Sequence, residues 1–394
     1  MKGGLYSTSH LFSRSSRLIP LMGGEGVYVW DVEGKRYIDG SSGPVCVVIG
    51  HGVREVSEAV ARQMNKISFA HSSHFTTDSV IECADKLAKF SPYSLKHVFF
   101  TSGGSEATEA AAKMARQYHL ERGDYRRYKI VSRWHSYHGN TLGALSMSGN
   151  IPRRRNYVPM LLDFPHIPPA YCYRCWFKKD KGDCDLECAW ALEKEIKSIG
   201  AEYVSAFIAE PVVGATLGTV PAPEGYFQII REICDRYGVI FIADEVMTGF
   251  GRTGKNFAIE HWGVEPDIIA TAKGISSGYI PLGAVIASEK VFTTFKTPFA
   301  HGHTYGSHPV ACAVGVAVLD YIEKHHLVQR SEDLGRYFLD RLQNLKDSPS
   351  IGDVRGMGLF SGIEFMKDKG SKEPFPPRSS FTRRFWKVVF PTDC

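Results

Sequence analysis

The chain has 394 residues, 43% hydrophobic and 23% charged, which is ordinary globular usage and excludes a disordered, collagen-like or coiled-coil chain. At roughly 100–200 residues per domain the length suggests two or three domains, and no apolar run approaches the ~20 residues that span a bilayer. Net charge is only +5, from 47 basic against 42 acidic residues, so the short clusters Arg153-Arg154-Arg155 and Arg383-Arg384 read as solvated faces and no nucleic-acid partner is expected.

The first thirty residues hold no signal-peptide core, because Leu18-Ile19-Pro20-Leu21-Met22 is short and broken by proline. Nine cysteines spread through a long chain fit a reducing compartment better than a disulfide scaffold. The expectation is a cytoplasmic protein without a membrane segment, with the mitochondrial matrix left open.

In chain order, Gly26–Asp39 reads as a β-hairpin turning near Glu33-Gly34. A helix follows over about 53–66, with Val56, Val60 and Met64 on one face. From residue 96 short apolar runs alternate with amphipathic segments. Lys96–Phe100 precedes a helix over 106–121, and Lys129–Val131 precedes a loop. Tyr203–Ile208 precedes a helix over 225–237, and Val239–Ala243 and Asp267–Ala270 follow. That alternation predicts an α/β domain with a mainly parallel sheet. A helix over 310–325 leads to one or two strands in Arg355–Phe365 of a second, smaller domain, and a loop at Pro374–Pro377.

In such sheets ligands sit at the carboxyl ends of the strands. After the first run comes Thr101-Ser102-Gly103-Gly104-Ser105-Glu106, opening a helix. Glycines allow close backbone approach, and the free N–H groups of a helix start suit a phosphate; a capped helix without ligand is the plainer reading. Asp244-Glu245 ends a buried strand. A cationic heterocycle or a metal would pair one of these carboxylates, and a salt bridge to Lys or Arg is the alternative. Lys273 follows another apolar strand; desolvation would make its amine a nucleophile suited to Schiff-base chemistry, unless it snorkels to solvent. Gly249–Gly254 matches G-x-G-x-x-G. However, acidic residues separate it from the strand, and neither a proper helix nor an acidic residue about 20 positions on follows it, so a nicotinamide site is rejected.

Six segments then occur in one order: the glycine-serine helix start, Trp134-His135-Ser136-Tyr137-His138-Gly139-Asn140-Thr141, Ala209-Glu210-Pro211, Asp244–Gly254, Lys273-Gly274 and His301-Gly302-His303-Thr304-Tyr305. In that order they resemble the class III (ω-type) aminotransferases, which carry pyridoxal 5'-phosphate (PLP) on a fold-type-I scaffold. The resemblance covers roughly residues 20–384. It implies a large PLP-binding domain over 59–309 and a small α/β domain built from 1–58 and 310–394.

It further implies a role for each matched residue. Lys273 would hold PLP as a Schiff base and move a proton between substrate and cofactor. Asp244 would keep the pyridine nitrogen protonated, with His138 also at the cofactor. Tyr137 and Val246 would cover the two ring faces, and the N–H groups of Gly104 and Ser105 would hold the phosphate. Glu210 would lie close by, and Thr304 would reach the phosphate bound by a partner subunit, which makes the chain a homodimer. The implied reaction is ping-pong transfer of an amino group from an amine or an ω- or α-amino acid to pyruvate or 2-oxoglutarate. The alternatives are an aminomutase or decarboxylating transaminase on the same scaffold, or a catalytically impaired fragment.

Three departures accompany the resemblance. Met247 stands where many members have a glutamine that bonds the ring hydroxyl oxygen. The small domain reads as truncated, because Phe385–Cys394 has no family character and Arg383 and Arg384 precede the missing element. Cys172, Cys175, Cys184 and Cys188 give C-x₂-C and C-x₃-C, a spacing that would suit a structural zinc site or four unliganded thiols in a surface loop.

Overall fold

The computed structural model describes residues 10, 18–180 and 183–376. The site depends on a seven-stranded sheet. Its strands are β4 (Leu95–Thr101), β5 (Lys129–Arg133), β6 (His166–Ile167), β7 (Val204–Ala209), β10 (Ile240–Asp244), β11 (Ile268–Thr271) and β12 (Gly283–Ser288), in the order β4-β12-β11-β10-β7-β5-β6. All run parallel except β12, which is antiparallel to both β4 and β11.

The apolar runs form strands because both faces of this sheet are covered. Side chains alternate between two cores, as a period of two requires. Ala206, Ile208, Ile240, Ile242, Ile268 and Ala270 enter one cluster. Phe207, Ala209, Phe241, Ala243 and Ile269 enter the other. Helix Gly104–Glu121 covers the first face through Ala107, Ala110, Ala111, Met114 and Ala115. Its alanines let the backbone lie close to the sheet. Helices Glu187–Ile199, Tyr226–Tyr237 and Pro309–Lys324 cover the second.

The amino-terminal hairpin is part of a three-stranded sheet, β1 (Leu21–Glu25), β2 (Tyr28–Asp31) and β3 (Arg36–Ile38). Asp31 builds its turn by accepting from the N–H of Glu33 (3.0 Å) and of Lys35 (2.9 Å), with Gly34 at φ +81°. A two-stranded ribbon, β8 (Val212–Val213) and β9 (Val220–Pro221), follows the end of β7. Near the other terminus β13 (Ile351–Met357), β14 (Phe360–Asp368) and β15 (Glu373–Pro374) form an antiparallel sheet. Residues 377–394, including Arg383, Arg384 and Phe385–Cys394, lie outside the described residues. Among the described residues no helix is long and apolar enough to cross a membrane.

One expected face is corrected. In helix Arg54–Lys66 the buried residues are Val56, Ala59 and Gln63, while Met64 is 54% exposed. The helix lies against Pro309–Lys324, so position 63, not 64, continues the inward stripe.

A buried ion pair ties the sheet to its covering helices. Asp267 accepts from Arg231 Nη1 (2.9 Å), Lys290 Nζ (2.8 Å) and the N–H of Phe241 (2.8 Å). Burial would raise its pKa, but Arg231 and Lys290 outweigh that and hold it below the usual carboxylate range. Asp267→Ala leaves the Arg231 guanidinium without its buried partner, and is expected to cost about 3 kcal/mol in urea unfolding. Because the folded pKa lies below the unfolded value of about 3.9, this stabilisation is complete above that pH and lost as pH falls through the folded value. The gap between wild type and variant therefore closes in acid.

Candidate functional site

Five parallel strands deliver their carboxyl ends to one edge of the sheet, where an open α/β sheet binds ligands. Beyond β4 the chain starts helix Gly104–Glu121. Beyond β5 it brings Tyr137 and His138, and beyond β7 Glu210. Asp244 ends β10, and Lys273 follows β11. Together with Ser105, Val246 and Met247 they line one cavity of about 160 Å³.

The two adjacent carboxylates behave differently. Asp244 Oδ2 accepts from His138 Nδ1 at 2.7 Å, and Oδ1 accepts from the N–H of Val246 at 3.1 Å. Its side chain faces the cavity and meets no Lys or Arg in an ion pair among the described residues. Glu245 points the other way. It accepts from the Thr248 hydroxyl and from the N–H groups of Ala258 (3.0 Å) and Ile259 (2.7 Å). Burial pushes its pKa up to about 7 against those donors. Glu245 is therefore a brace for the loop after β10, and Asp244 is the carboxylate available to a cationic ring. Neither makes the salt bridge that was the alternative.

Lys273 sits at φ +48° on a tight turn after β11. Its amine makes no hydrogen bond or ion pair with another described residue. Burial draws its pKa below the ordinary lysine range, against Asp244, Cys46 and Glu210, which raise it. A desolvated amine with no partner is a nucleophile and a proton acceptor in waiting. Glu210 closes the floor: Oε1 accepts from the N–H of Tyr137 (2.8 Å) and Oε2 from that of Gly214 (3.3 Å), and burial holds its pKa above the carboxylate range.

The opposite end suits an anion. Gly103 caps helix Gly104–Glu121 without a side-chain bond, leaving the first-turn N–H groups and the positive dipole end to a ligand. A Cβ on Gly104 would lie 2.8 Å from Val246 Cγ1, so only glycine permits this approach. Gly139, at φ +137°, passes Ser105 where a Cβ would stand 2.5 Å from its hydroxyl. Asn140 N–H donates to that hydroxyl at 3.0 Å, and Thr108 ties helix to loop through the His138 carbonyl at 2.7 Å. A glycine-lined helix start, an aromatic ring, an aliphatic wall, a carboxylate and a free amine around one cavity fit PLP.

Met247 also lines the cavity. Its Cε and Sδ would lie 2.8 Å from a Cβ on Gly214, a position equally close to Phe360. The thioether is thus wedged as a wall where a glutamine donor was the expected pattern.

Not every expected residue comes to the cavity. Thr304 is exposed and lies outside the cavity lining. The zinc expectation is corrected: among the described residues no group of three or more His, Cys, Asp or Glu side chains is placed to hold a metal ion. Cys172, Cys175, Cys184 and Cys188 are free. Burial, with Cys172 and Cys184 nearby, pushes the Cys188 thiol up to about 12, whereas a zinc ligand must be a thiolate. The turn bearing Cys172 and Cys175 is held by Arg174 instead, whose Nε donates to Glu364 of β14 at 2.7 Å. The rejected glycine motif at 249–254 opens no helix: a Cβ on Gly254 would lie 2.9 Å from Glu332 Cα, so the loop is packing surface.

The arginine triplet is not one solvated face. Arg154 Nη1 donates to the carbonyls of Leu145 (3.0 Å), Ser146 (2.9 Å) and Ser148 (2.8 Å). Arg153 places its guanidinium carbon 4.1 Å from the centre of the Tyr137 ring. Three adjacent identical residues carry no spacing that separates these roles.

The family described as "Aminotransferase class-III" matches residues 12–385. An uncharacterized aminotransferase of Bacillus subtilis is 41% identical over 363 residues, 91% of this chain and 82% of the relative. Among solved structures, a thermostable (S)-enantioselective omega-transaminase from Thermomicrobium roseum is 41% identical, with a TM-score of 0.88 over 94% of this chain and 84% of that one. An omega transaminase from Pseudomonas jessenii, solved in complex with PMP, is 33% identical, with a TM-score of 0.89 over 93% and 82% of the two chains.

Proposed function

The chain belongs to the class-III aminotransferases, and we propose that it passes an amino group from an amine or amino acid to a keto acid such as pyruvate or 2-oxoglutarate in two alternating half-reactions. Membership in this family implies PLP as the cofactor. The observation that carries the reading is the unpaired Lys273 amine in one cavity with the His138-bound Asp244 carboxylate.

In this reading the N–H groups of Gly104 and Ser105 hold the phosphate, and Tyr137 and Val246 cover the ring faces. Asp244, oriented by His138, holds a proton on the ring nitrogen. Lys273 Nζ, biased toward its neutral form by burial, takes the proton from the donor's amine-bearing carbon. Bound PLP supplies the electron sink for the pair left on that carbon. Glu210 keeps the Tyr137 backbone in place through its 2.8 Å bond.

The proposal includes a homodimer. Thr304 would approach the cofactor of a second copy, and the exposed rings beside it support this: Tyr305 and Phe75 are 62% and 68% exposed. It also includes the division into a large unit over 59–309 and a smaller one from 1–58 and 310–394.

PLP-loaded protein, given an amine donor alone, is expected to release about one equivalent of carbonyl product per chain and stop until pyruvate or 2-oxoglutarate is added. Continued turnover without acceptor, or release of carbon dioxide, would instead assign a mutase or a decarboxylating reaction.

A further inference from the structure

Resting on the transaminase reading, we infer that Arg153 is the residue that recognises the substrate carboxylate, and so selects keto acids and amino acids over neutral carbonyl compounds and amines.

The argument begins with how the side chain is held. Arg153 ends the short helix Ile151–Arg154, whose start is fixed by Asn150 and Pro152. Its guanidinium lies against the Tyr137 ring, 4.1 Å from carbon to ring centre. Stacking engages the flat face of a guanidinium and leaves the N–H groups on its edge free. No other described residue takes them: the side chain makes no hydrogen bond and no ion pair. Arg153 is exposed and not part of the cavity wall. It therefore stands outside the ring that borders the cavity, facing solvent from which substrate arrives.

Nothing nearby neutralises it. The Asp244 carboxylate is taken by His138 and the Val246 N–H. The Glu210 carboxylate is taken by the N–H groups of Tyr137 and Gly214. Arg154, the adjacent cation, spends one nitrogen on three carbonyls and braces the backbone. Arg153 also lies within electrostatic reach of Lys273, whose ammonium it disfavours. A carboxylate docked on Arg153 would thus sit within reach of the reacting amine. A preset, planar, unpaired fork is the geometry that binds a carboxylate through two parallel hydrogen bonds.

The test compares acceptors of similar size with and without the carboxylate, pyruvate and propanal, in PLP-loaded wild type, Arg153→Gln and Arg153→Lys. The efficiency ratio of pyruvate to propanal is expected to fall roughly ten- to hundredfold in Arg153→Gln, mostly through KM for pyruvate, as loss of a charge-assisted contact implies. Arg153→Lys should recover part of it, since it restores charge without the fork. An equal drop for both acceptors would mean that Arg153 only braces Tyr137, and would overturn the inference.

Calorimetric binding of unreactive propionate to the same loaded proteins reads the contact without turnover. If wild type binds propionate and Arg153→Gln does not, the inference stands even where no transamination is seen. Equal binding by both overturns it, whatever the activity.

Discussion

Lys273→Ala is expected to lower kcat for transamination by at least about a thousandfold, the scale of losing a positioned acid–base group, and to abolish covalent retention of PLP. The amine has no hydrogen-bond or ion-pair partner among the described residues, so truncation removes no contact that holds the fold. Burial lowers its pKa, and that cost disappears with the charge. Thermal unfolding of the variant should therefore stay close to wild type while activity collapses. Mass analysis after borohydride reduction should show one PLP adduct per wild-type chain and none on the variant. A variant that keeps more than a few per cent of wild-type turnover would remove Lys273 from the mechanism.

Asp244→Asn is expected to lower kcat about 10²–10³-fold, comparable to losing one preorganised electrostatic contact in a water-poor site, while Lys273 still captures PLP. An asparagine oxygen can keep the 3.1 Å bond from the Val246 N–H. It cannot carry the negative charge a protonated ring nitrogen needs, and its NH₂ group cannot accept from His138 Nδ1. The two variants thus separate in one assay: the adduct survives at position 244 and vanishes at 273. If Asp244→Asn were fully active, the carboxylate would be no more than a brace, like Glu245.

Much of the fold was legible because the central strands are buried on both faces. Val204–Ala209, Ile240–Asp244 and Ile268–Thr271 are nearly unbroken apolar runs, and each is followed by a polar residue that cannot continue the strand. The same local logic exposed the site, since its residues follow strand ends and converge only because those strands are parallel.

What was not legible depends on tertiary context. β12, Gly283–Ser288, is a small-residue run with no turn signal, and only its pairing with β4 and β11 makes it the antiparallel member. Met64 falls on the predicted stripe, yet the angle at which its helix meets Pro309–Lys324 turns it outward. The four cysteines have a metal-like spacing, but their place is set by Arg174 and Glu364 from opposite ends of the chain. Arg153 is one of three identical neighbours, and its stacking on Tyr137 is a contact across the site that no periodicity encodes.

The central claim, that this cavity binds PLP on Lys273 and accepts amino groups there, is tested most directly by the visible absorption spectrum of wild-type protein loaded with PLP and desalted. The account predicts a retained yellow band that bleaches when an amine donor is added and returns when a keto acid follows. Protein that emerges colourless from desalting, or a band that amine donors leave unchanged, would contradict it.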